Sequence, residues 1–396
     1  MAGESARFGS LDGLRGVAAA VVVVFHIVVS NDRAGAIYKL TETGPLSTFE
    51  TLMNYSPLRI LWAGSEAVVV FYVLSGFVLA LPFARGAAVP WKYFYPRRLL
   101  RLYVPSIASL VFAYLTTLAI RRAEIPNGSP WLNDHAAAPN GPVQVLLGSS
   151  LIAGWGGLNT SLWSLRYEVL FSLLLPLFLW VAFTWKRLLW LKVAAVPLFC
   201  MLWPLAGFFY PDLVYLSVFL LGVLMAYNIE ALRARAARIR GWGWTLICVA
   251  SILLLCYSWL VAGVDPESRW RQSWIGFAAI GATLLVFAVA FWRPSVRAFG
   301  SRPIRWLGRI SFSLYLTQEP VVVALAFATH GLVPLWVQIP VGFALSLFVA
   351  WLFYLVVERP SHRLSRNFAR ARQQRELAAV AVPVGAPRAD LGSSKK

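Results

Sequence analysis

Apolar residues in this chain form long uninterrupted runs that are separated by short polar segments. Ten of these runs approach 20 residues, the length at which an α-helix crosses about 30 Å of hydrocarbon. The pattern predicts an all-α polytopic membrane protein with about ten transmembrane helices. The predicted spans are 12–30, 61–82, 99–120, 163–184, 188–207, 212–229, 243–262, 272–292, 309–329 and 336–357.

One further apolar segment, near 143–155, is shorter than the others and ends in the glycine-rich sequence GWGG. It is too short to cross the hydrocarbon comfortably as a helix. Backbone that enters a membrane without forming a helix must be buried in protein or line a cavity. We therefore predict a short re-entrant or interfacial segment at this point.

Lysine and arginine residues are distributed unevenly between the predicted loops. If the N-terminus is cytoplasmic, the inside segments carry 24 of them and the outside loops carry 7. Cytoplasmic loops of membrane proteins carry such an excess of basic residues. The number of predicted spans is even, so we predict that both termini are cytoplasmic.

The composition supports a membrane protein and argues against a soluble one. Hydrophobic residues make up 59% of the chain and charged residues only 13%, about half of the roughly 25% that soluble domains carry. The net charge of +19 would suggest nucleic acid in a soluble protein, but here the basic residues gather in short loops. We therefore expect no nucleic acid partner. Residues 1–369 are predicted to form one transmembrane domain, followed by a disordered basic cytoplasmic tail at 370–396.

The cysteines offer no sign of a disulfide framework or of a zinc site. All three, Cys200, Cys248 and Cys256, fall within predicted spans, and no Cys/His ligand spacing is present. We therefore expect no metal.

The first span carries two ionisable residues, Arg15 and His26, which are costly inside a membrane and are functional candidates for that reason. Eleven helical steps separate them, which leaves about 20° of rotation and a rise of about 16.5 Å. Both side chains therefore share one helix face, with Arg15 near the cytoplasmic rim and His26 near the outer surface. The alternative is an arginine that reaches the interface and a structural histidine bonded to a neighbouring carbonyl.

A carboxylate in the fourth span, Glu168, is predicted to lie at the same depth as His26. It follows the start of the span by five residues, or about 7.5 Å. A carboxylate beside an imidazole fixes its tautomer and raises its basicity, as a general base requires. Glu66 in the second span is a weaker candidate for this role. The alternative for Glu168 is an ion pair with an arginine, either Arg166 or one on another helix.

The cytoplasmic segment YPRRLLRLYVP, which leads into the third span, contains three arginines, Arg97, Arg98 and Arg101. Together with Arg15 they could form a cluster suited to phosphates, because guanidinium groups bind them through two parallel hydrogen bonds. The alternative is an ordinary basic cytoplasmic loop. In the second span, the small residues Ser75 and Gly76 indicate close helix packing, and Ser75 is only a weak candidate nucleophile.

Several of these segments occur together in one known family. The chain resembles the acyltransferase 3 family of integral-membrane O-acyltransferases over nearly its whole length. The similar segments, in order, are LDGLRG with an Arg-x10-His spacing to His26, then FYVLSGF, YPRRLLRLYVP, WSLRYEVLF, GRISFSLYLTQEP and VERP.

The resemblance implies a bacterial enzyme of the inner (cytoplasmic) membrane. It implies acyl-CoA, usually acetyl-CoA, as donor and a sugar hydroxyl of an envelope glycan or glycolipid as acceptor. It also implies a functional set that consists of Arg15, His26, Arg97, Arg98, Arg101 and Glu168. Two positions depart from the family pattern: Gln318 stands where many members have histidine, and Ser172 replaces a frequent tyrosine.

These expectations combine into one mechanism. The arginines hold the phosphates of coenzyme A at the cytoplasmic side, and His26, supported by Glu168, takes the proton of an acceptor hydroxyl that enters from outside. A transient acyl-histidine or acyl-serine intermediate is a variant of this mechanism. The competing hypothesis is a transporter or flippase of a glycolipid or small molecule that uses the same intramembrane charges.

Overall fold

The computed structural model describes residues 2–41, 44–87, 89–138, 141–152, 157–207, 211–329 and 332–367, with side chains from residue 9 onward. Helices dominate, and no strand occurs among these residues. The tail predicted at 370–396 lies outside the described residues.

The described part of the chain contains seventeen α-helices. They are α1 (Ala2–Val29), α2 (Asp32–Lys39), α3 (Thr48–Tyr55), α4 (Gly64–Ala84), α5 (Trp91–Ala119), α6 (Pro130–Ala137), α7 (Pro142–Ser149), α8 (Trp163–Phe183), α9 (Leu189–Leu205), α10 (Pro211–Tyr227), α11 (Ile229–Ala236), α12 (Gly241–Leu255), α13 (Tyr257–Val264), α14 (Trp274–Phe291), α15 (Arg293–Phe299), α16 (Arg302–Ala328) and α17 (Leu335–Phe353). Short 3₁₀ helices cover Pro57–Trp62, Thr160–Leu162, Lys186–Leu188 and Arg269–Ser273, and a π-helical turn at Tyr354–Glu358 continues α17.

Eight of the described helices are long and apolar enough to cross a membrane: α1, α4, α5, α8, α9, α14, α16 and α17. Two bent pairs raise the number to ten if each pair is one span. The α10–α11 pair bends by 73° and the α12–α13 pair by 62°. The prediction of an all-α polytopic protein with about ten membrane helices is therefore confirmed. The cytoplasmic location of both termini stays a prediction.

The short apolar segment predicted near 143–155 contains helix α7. Its eight residues rise about 12 Å, too little to cross the hydrocarbon. The helix packs against α5 and leaves Leu146 73% exposed. Residues 153–156, which include most of the GWGG sequence, lie outside the described residues.

The directions of the helices define two ends of the bundle. Helices α1 and α16 run parallel, because Gly16 packs against Gly308 near their N-terminal ends and His26 meets Gln318 further along both. Helix α4 runs antiparallel to α1, since its first residue, Gly64, packs against Phe25. These directions agree with the alternation that the basic loops predict.

The contact between α4 and α10 depends on two glycines. A side chain at Gly76 would overlap the carbonyl of Phe219, and one at Gly222 would overlap the carbonyl of Val73. Such close approach of two helices needs small residues at the crossing point. The interpretation of Gly76 as a packing residue is therefore confirmed.

Candidate active site

His26 lies on α1 in a buried polar environment, with only 7% of its surface exposed. Its Nδ1 atom is 2.8 Å from Oε1 of Gln318 on α16. The indole ring of Trp131, on α6, stacks against the imidazole at a centroid distance of 5.3 Å. The imidazole is therefore held by two helices that the sequence places more than a hundred residues away.

Gln318 connects His26 to a second polar group. Its Nε2 atom donates a hydrogen bond of 3.0 Å to Oγ of Ser161, in the 3₁₀ helix Thr160–Leu162. Ser161 in turn donates from Oγ to Oε2 of Glu319 at 2.5 Å. A continuous series of hydrogen bonds thus runs from the imidazole to a carboxylate on the next residue of α16.

Glu319 is fully buried, and each of its oxygens has donors. The backbone N–H of Thr160 donates to Oε1 at 2.7 Å, and that of Ser161 donates to Oε2 at 2.6 Å. His135 contacts Oε1 through Nε2 at 3.1 Å. These hydrogen bonds offset the free-energy cost of removing the carboxylate from water. A buried carboxylate without such partners would be strongly destabilising.

Helix α6 covers this group of residues from the loop side. Ser129 caps the helix by accepting from the N–H of Leu132, and its hydroxyl donates to the carbonyl of Val29 at 2.6 Å. An ion pair of 2.8 Å joins Asp134 to Lys39 on α2. These contacts fix Trp131 and His135 over the end of α1.

Glu168 has other partners than the sequence predicts. Arg98 on α5 donates to its Oε2 at 2.6 Å, and the hydroxyl of Ser75 on α4 donates to its Oε1. Both charged side chains are largely buried, with 17% of Arg98 and 16% of Glu168 exposed. Within the described residues Glu168 makes no contact with His26, so the predicted pairing is wrong. The alternative, an ion pair with an arginine on another helix, is confirmed.

The physical reason lies in the segment before α8. Asn159 and Ser161 are buried among the helices, not exposed in an outer loop. The span therefore starts at a greater depth than its apolar run indicates. Ser161 reaches the level of Gln318, and Glu168 follows it by seven residues, about 10 Å further toward the other end of the bundle.

Tyr315 lies near both groups of polar residues. It lies within electrostatic range of both Glu319 and Glu168. Its hydroxyl is 2.6 Å from Oγ of Ser164 and donates to the carbonyl of Ser161 at 3.0 Å. Tyr315 is thus a buried neighbour of both the histidine group and the Glu168–Arg98 pair.

Glu66 contributes to a third buried polar group. Its carboxylate accepts a 3.2 Å hydrogen bond from the indole N–H of Trp259 on α13. The guanidinium of Arg59 lies between Trp62 and Trp259, 3.4 and 3.7 Å from their ring centroids. Burial lowers the pKa of Arg59 to about 10, although the nearby Glu66 opposes the shift. Glu66 therefore accepts from a tryptophan whose ring takes part in the cation–π contact of Arg59, and it makes no hydrogen bond to His26 in the described structure.

The predicted arginine cluster forms in part. Arg15 lies within electrostatic range of both Arg98 and Arg101. Arg97 is exposed, as Arg101 is, and lies within range of Arg101 but is not among the groups that act on Arg98. The carboxylate of Glu358 faces the same cluster. We call the end of the bundle with this cluster the basic end, and the opposite end, with His26, the histidine end.

Ser172 also belongs to the Glu168 group. It accepts a 3.1 Å hydrogen bond from Nε of Arg98 and donates to the backbone carbonyl of Glu168. A serine at this position thus helps to hold the arginine. Among the described residues, no group of three or more histidine, cysteine or acidic side chains is placed to hold a metal ion.

Comparison with known proteins gives this arrangement a context. Residues 8–355 match the acyltransferase domain family Acyl_transf_3, which covers most of the chain. The chain belongs to this acyltransferase family. It is also similar to the acyltransferase MdmB of Streptomyces mycarofaciens, with 30% identity over 208 residues. The matched stretch covers 51% of this chain and 44% of MdmB, so the chain matches less than half of that relative's length. No solved structure matches the sequence significantly.

Family membership confirms the predicted resemblance. The helices that carry the polar groups are long and apolar enough to cross a membrane, and they lie within the matched acyltransferase domain. The roles of individual residues stay predictions.

Several residues of the histidine group are absent from the predicted set. Ser161, His135 and Glu319 fall outside it, and Gln318 enters only as a departure from the family pattern. Glu319 could have been found, because it is an ionisable residue inside the predicted span 309–329, as Glu168 is in its own span. Ser161 and His135 lie in predicted loops and give no such signal.

Proposed function

We propose that this acyltransferase transfers an acetyl group from acetyl-CoA to a hydroxyl of a sugar or glycolipid of the cell envelope, in the bacterial inner membrane. The match to the acyltransferase family supports acyl transfer. The basic cluster supports a phosphate-bearing donor, because guanidinium groups are well suited to phosphate oxygens.

The observation that carries the proposal is the arrangement of α1. This helix brings Arg15 into the basic cluster and, eleven residues later, holds His26 as a buried imidazole. Nδ1 of His26 is occupied by Gln318, while Nε2 makes no hydrogen bond to any described residue. The helix thus joins a site for an anionic donor to a nitrogen that can accept a proton.

In the proposed reaction, Nε2 of His26 takes the proton of the acceptor hydroxyl as its oxygen attacks the carbonyl carbon of the thioester. The new carbon–oxygen bond forms and the carbon–sulfur bond breaks. Coenzyme A leaves as a thiolate, which recovers the proton from the imidazolium. The ester and free coenzyme A are the products, and His26 returns to its neutral form.

In the donor site, we propose that Arg15, Arg97 and Arg101 contact the phosphates of coenzyme A. Arg98 differs from them because Glu168 already neutralises its charge. Glu168 then acts by holding Arg98 in position, and its predicted support of His26 is not retained. No metal takes part in this proposal.

The experiment compares wild type with His26→Ala and His26→Gln in lipid nanodiscs supplied with radiolabelled acetyl-CoA and envelope glycan acceptors. We expect both variants to lose at least about 100-fold in acyl transfer, the usual contribution of a general base. Their binding of acetyl-CoA should be unchanged, because the basic cluster is intact, and this serves as the control for folding.

Two results would contradict the proposal. Near-normal transfer by His26→Ala would exclude His26 as the base. Transport of a glycolipid by the wild type, with the labelled acetyl-CoA left intact, would favour a carrier. Mass spectrometry of envelope glycans from a deletion strain would identify the acceptor through the loss of an acetyl mass.

A further inference from the structure

We infer that Glu319 determines, through Ser161 and Gln318, which nitrogen of His26 carries the proton. This inference rests on the proposed function for its catalytic meaning, but the hydrogen bonds that carry it are independent of any substrate. It makes Ser161, Gln318 and Glu319 positioning residues for His26.

The hydrogen bond between Ser161 and Glu319 can run in one direction only. The carboxylate receives N–H groups from Thr160 and Ser161 and a contact from His135, so it acts as an acceptor on both oxygens. A serine hydroxyl has a single proton to donate. The 2.5 Å contact with Oε2 of Glu319 uses that proton.

The direction of the Ser161 hydrogen bond determines the orientation of the Gln318 amide. Because the hydroxyl proton of Ser161 points to Glu319, its oxygen can only accept from Gln318. The amide group that faces Ser161 is therefore the NH₂ group, at 3.0 Å. The carbonyl oxygen of the same amide then faces His26.

The orientation of the Gln318 amide determines the tautomer of the His26 imidazole. A carbonyl oxygen only accepts hydrogen bonds, so the His26 nitrogen that lies 2.8 Å from Gln318 must carry a proton. In a neutral imidazole the other nitrogen then has the free electron pair. The series of hydrogen bonds thus presents Nε2 as the basic nitrogen.

The carboxylate itself is also held by His135. Nδ1 of His135 lies 2.9 Å from the carbonyl of Trp131, while its Nε2 lies 3.1 Å from Glu319. The carboxylate only accepts hydrogen bonds, so Nε2 of His135 faces it as a donor.

The same logic predicts which substitutions at position 318 preserve the arrangement. An imidazole has one acceptor and one N–H, so a Gln318→His variant can accept from His26 and donate to Ser161. A Gln318→Leu variant can do neither. If Gln318 only fills space, leucine should replace it at least as well as histidine does.

The experiment is ¹⁵N NMR of histidine-labelled protein in nanodiscs, in which the two ring nitrogens of a neutral imidazole give separate signals. The chain has only four histidines, and His26→Gln assigns the signals of His26. We expect the wild type and Gln318→His to carry the proton on Nδ1. We expect Gln318→Leu and Glu319→Gln to show a mixture of the two tautomers.

The matched control is Thr317→Val, on the same buried turn of α16. Among the described residues its hydroxyl bonds to the carbonyl of Ser313 alone, so the tautomer of His26 should not change. In transfer assays we expect Glu319→Gln and Gln318→Leu to lose about 100-fold, and Gln318→His to stay within about 10-fold of wild type.

Proton location and transfer separate the two proposals. A wild-type signal with the proton on Nε2, or an unchanged tautomer in Glu319→Gln, would overturn the positioning role whatever the activity. A tautomer shift in Glu319→Gln with normal transfer would support the positioning role and reject His26 as the base.

Discussion

At the residue scale, the ion pair between Arg98 and Glu168 holds two largely buried charges together. Two charges are removed from water together, and Ser75 and Ser172 occupy further hydrogen-bonding positions around them. Removal of one charge alone would leave the other buried without a partner, which costs more than removal of both.

We therefore predict that Glu168→Gln and Arg98→Gln are strongly non-additive. A double-mutant cycle on the free energy of unfolding in SDS should give a coupling energy of about 1–3 kcal/mol. The control is Arg97→Gln, which changes the exposed neighbouring arginine and should show no coupling to Glu168. A coupling energy near zero would show that the pair contributes nothing to stability.

At the element scale, the glycine contact between α4 and α10 holds the helix that carries Ser75. Neither helix can approach as closely if a methyl group is present at the crossing point. Gly241, at the start of α12, has no atom near the position of a Cβ. The two glycines therefore form a matched pair for substitution.

We predict that Gly222→Ala lowers the free energy of unfolding by about 1–3 kcal/mol, since an overpacked contact forces the helices apart. Gly241→Ala should change it by less than about 0.5 kcal/mol. Both values can be measured by the same SDS titration. Equal stability of the two variants would show that α4 and α10 adapt to the added methyl group.

The elements also show which features the sequence could predict. The ten spans follow from hydropathy, because a helix must be apolar along its whole length to cross the hydrocarbon. The depth of Glu168 in the bundle does not follow from hydropathy, because it depends on how deeply the segment around Asn159 is inserted between other helices. The partner of His26 depends on the parallel packing of α1 and α16, which no periodicity within either helix encodes.

At the scale of the whole molecule, the two ends of the bundle differ in chemistry. The basic end gathers arginines from α1 and α5, whereas the histidine end is closed by the short helix α6. A membrane protein with such a difference needs a single orientation in the bilayer, and the excess of basic residues in alternate loops would provide it.

We predict that this orientation places the basic end in the cytoplasm. Single cysteines introduced as Ser268→Cys, in the loop before α14, and Ser295→Cys, in α15, test it in a variant without the three native cysteines. A membrane-impermeant maleimide added to intact cells should label the first and not the second. The opposite result would reverse the orientation.

The hydrogen bond between His26 and Gln318 joins residues 292 positions apart in the chain. When the first span enters the membrane during translation, Gln318 has not yet been synthesised. The imidazole of His26 therefore lacks this partner through most of translation. The hydrogen bond that places the proton on Nδ1 can form only when α16 has entered the bilayer beside α1. Proteins truncated before residue 302 would thus contain His26 but lack Gln318 and Glu319, the residues that determine which of its nitrogens carries the proton.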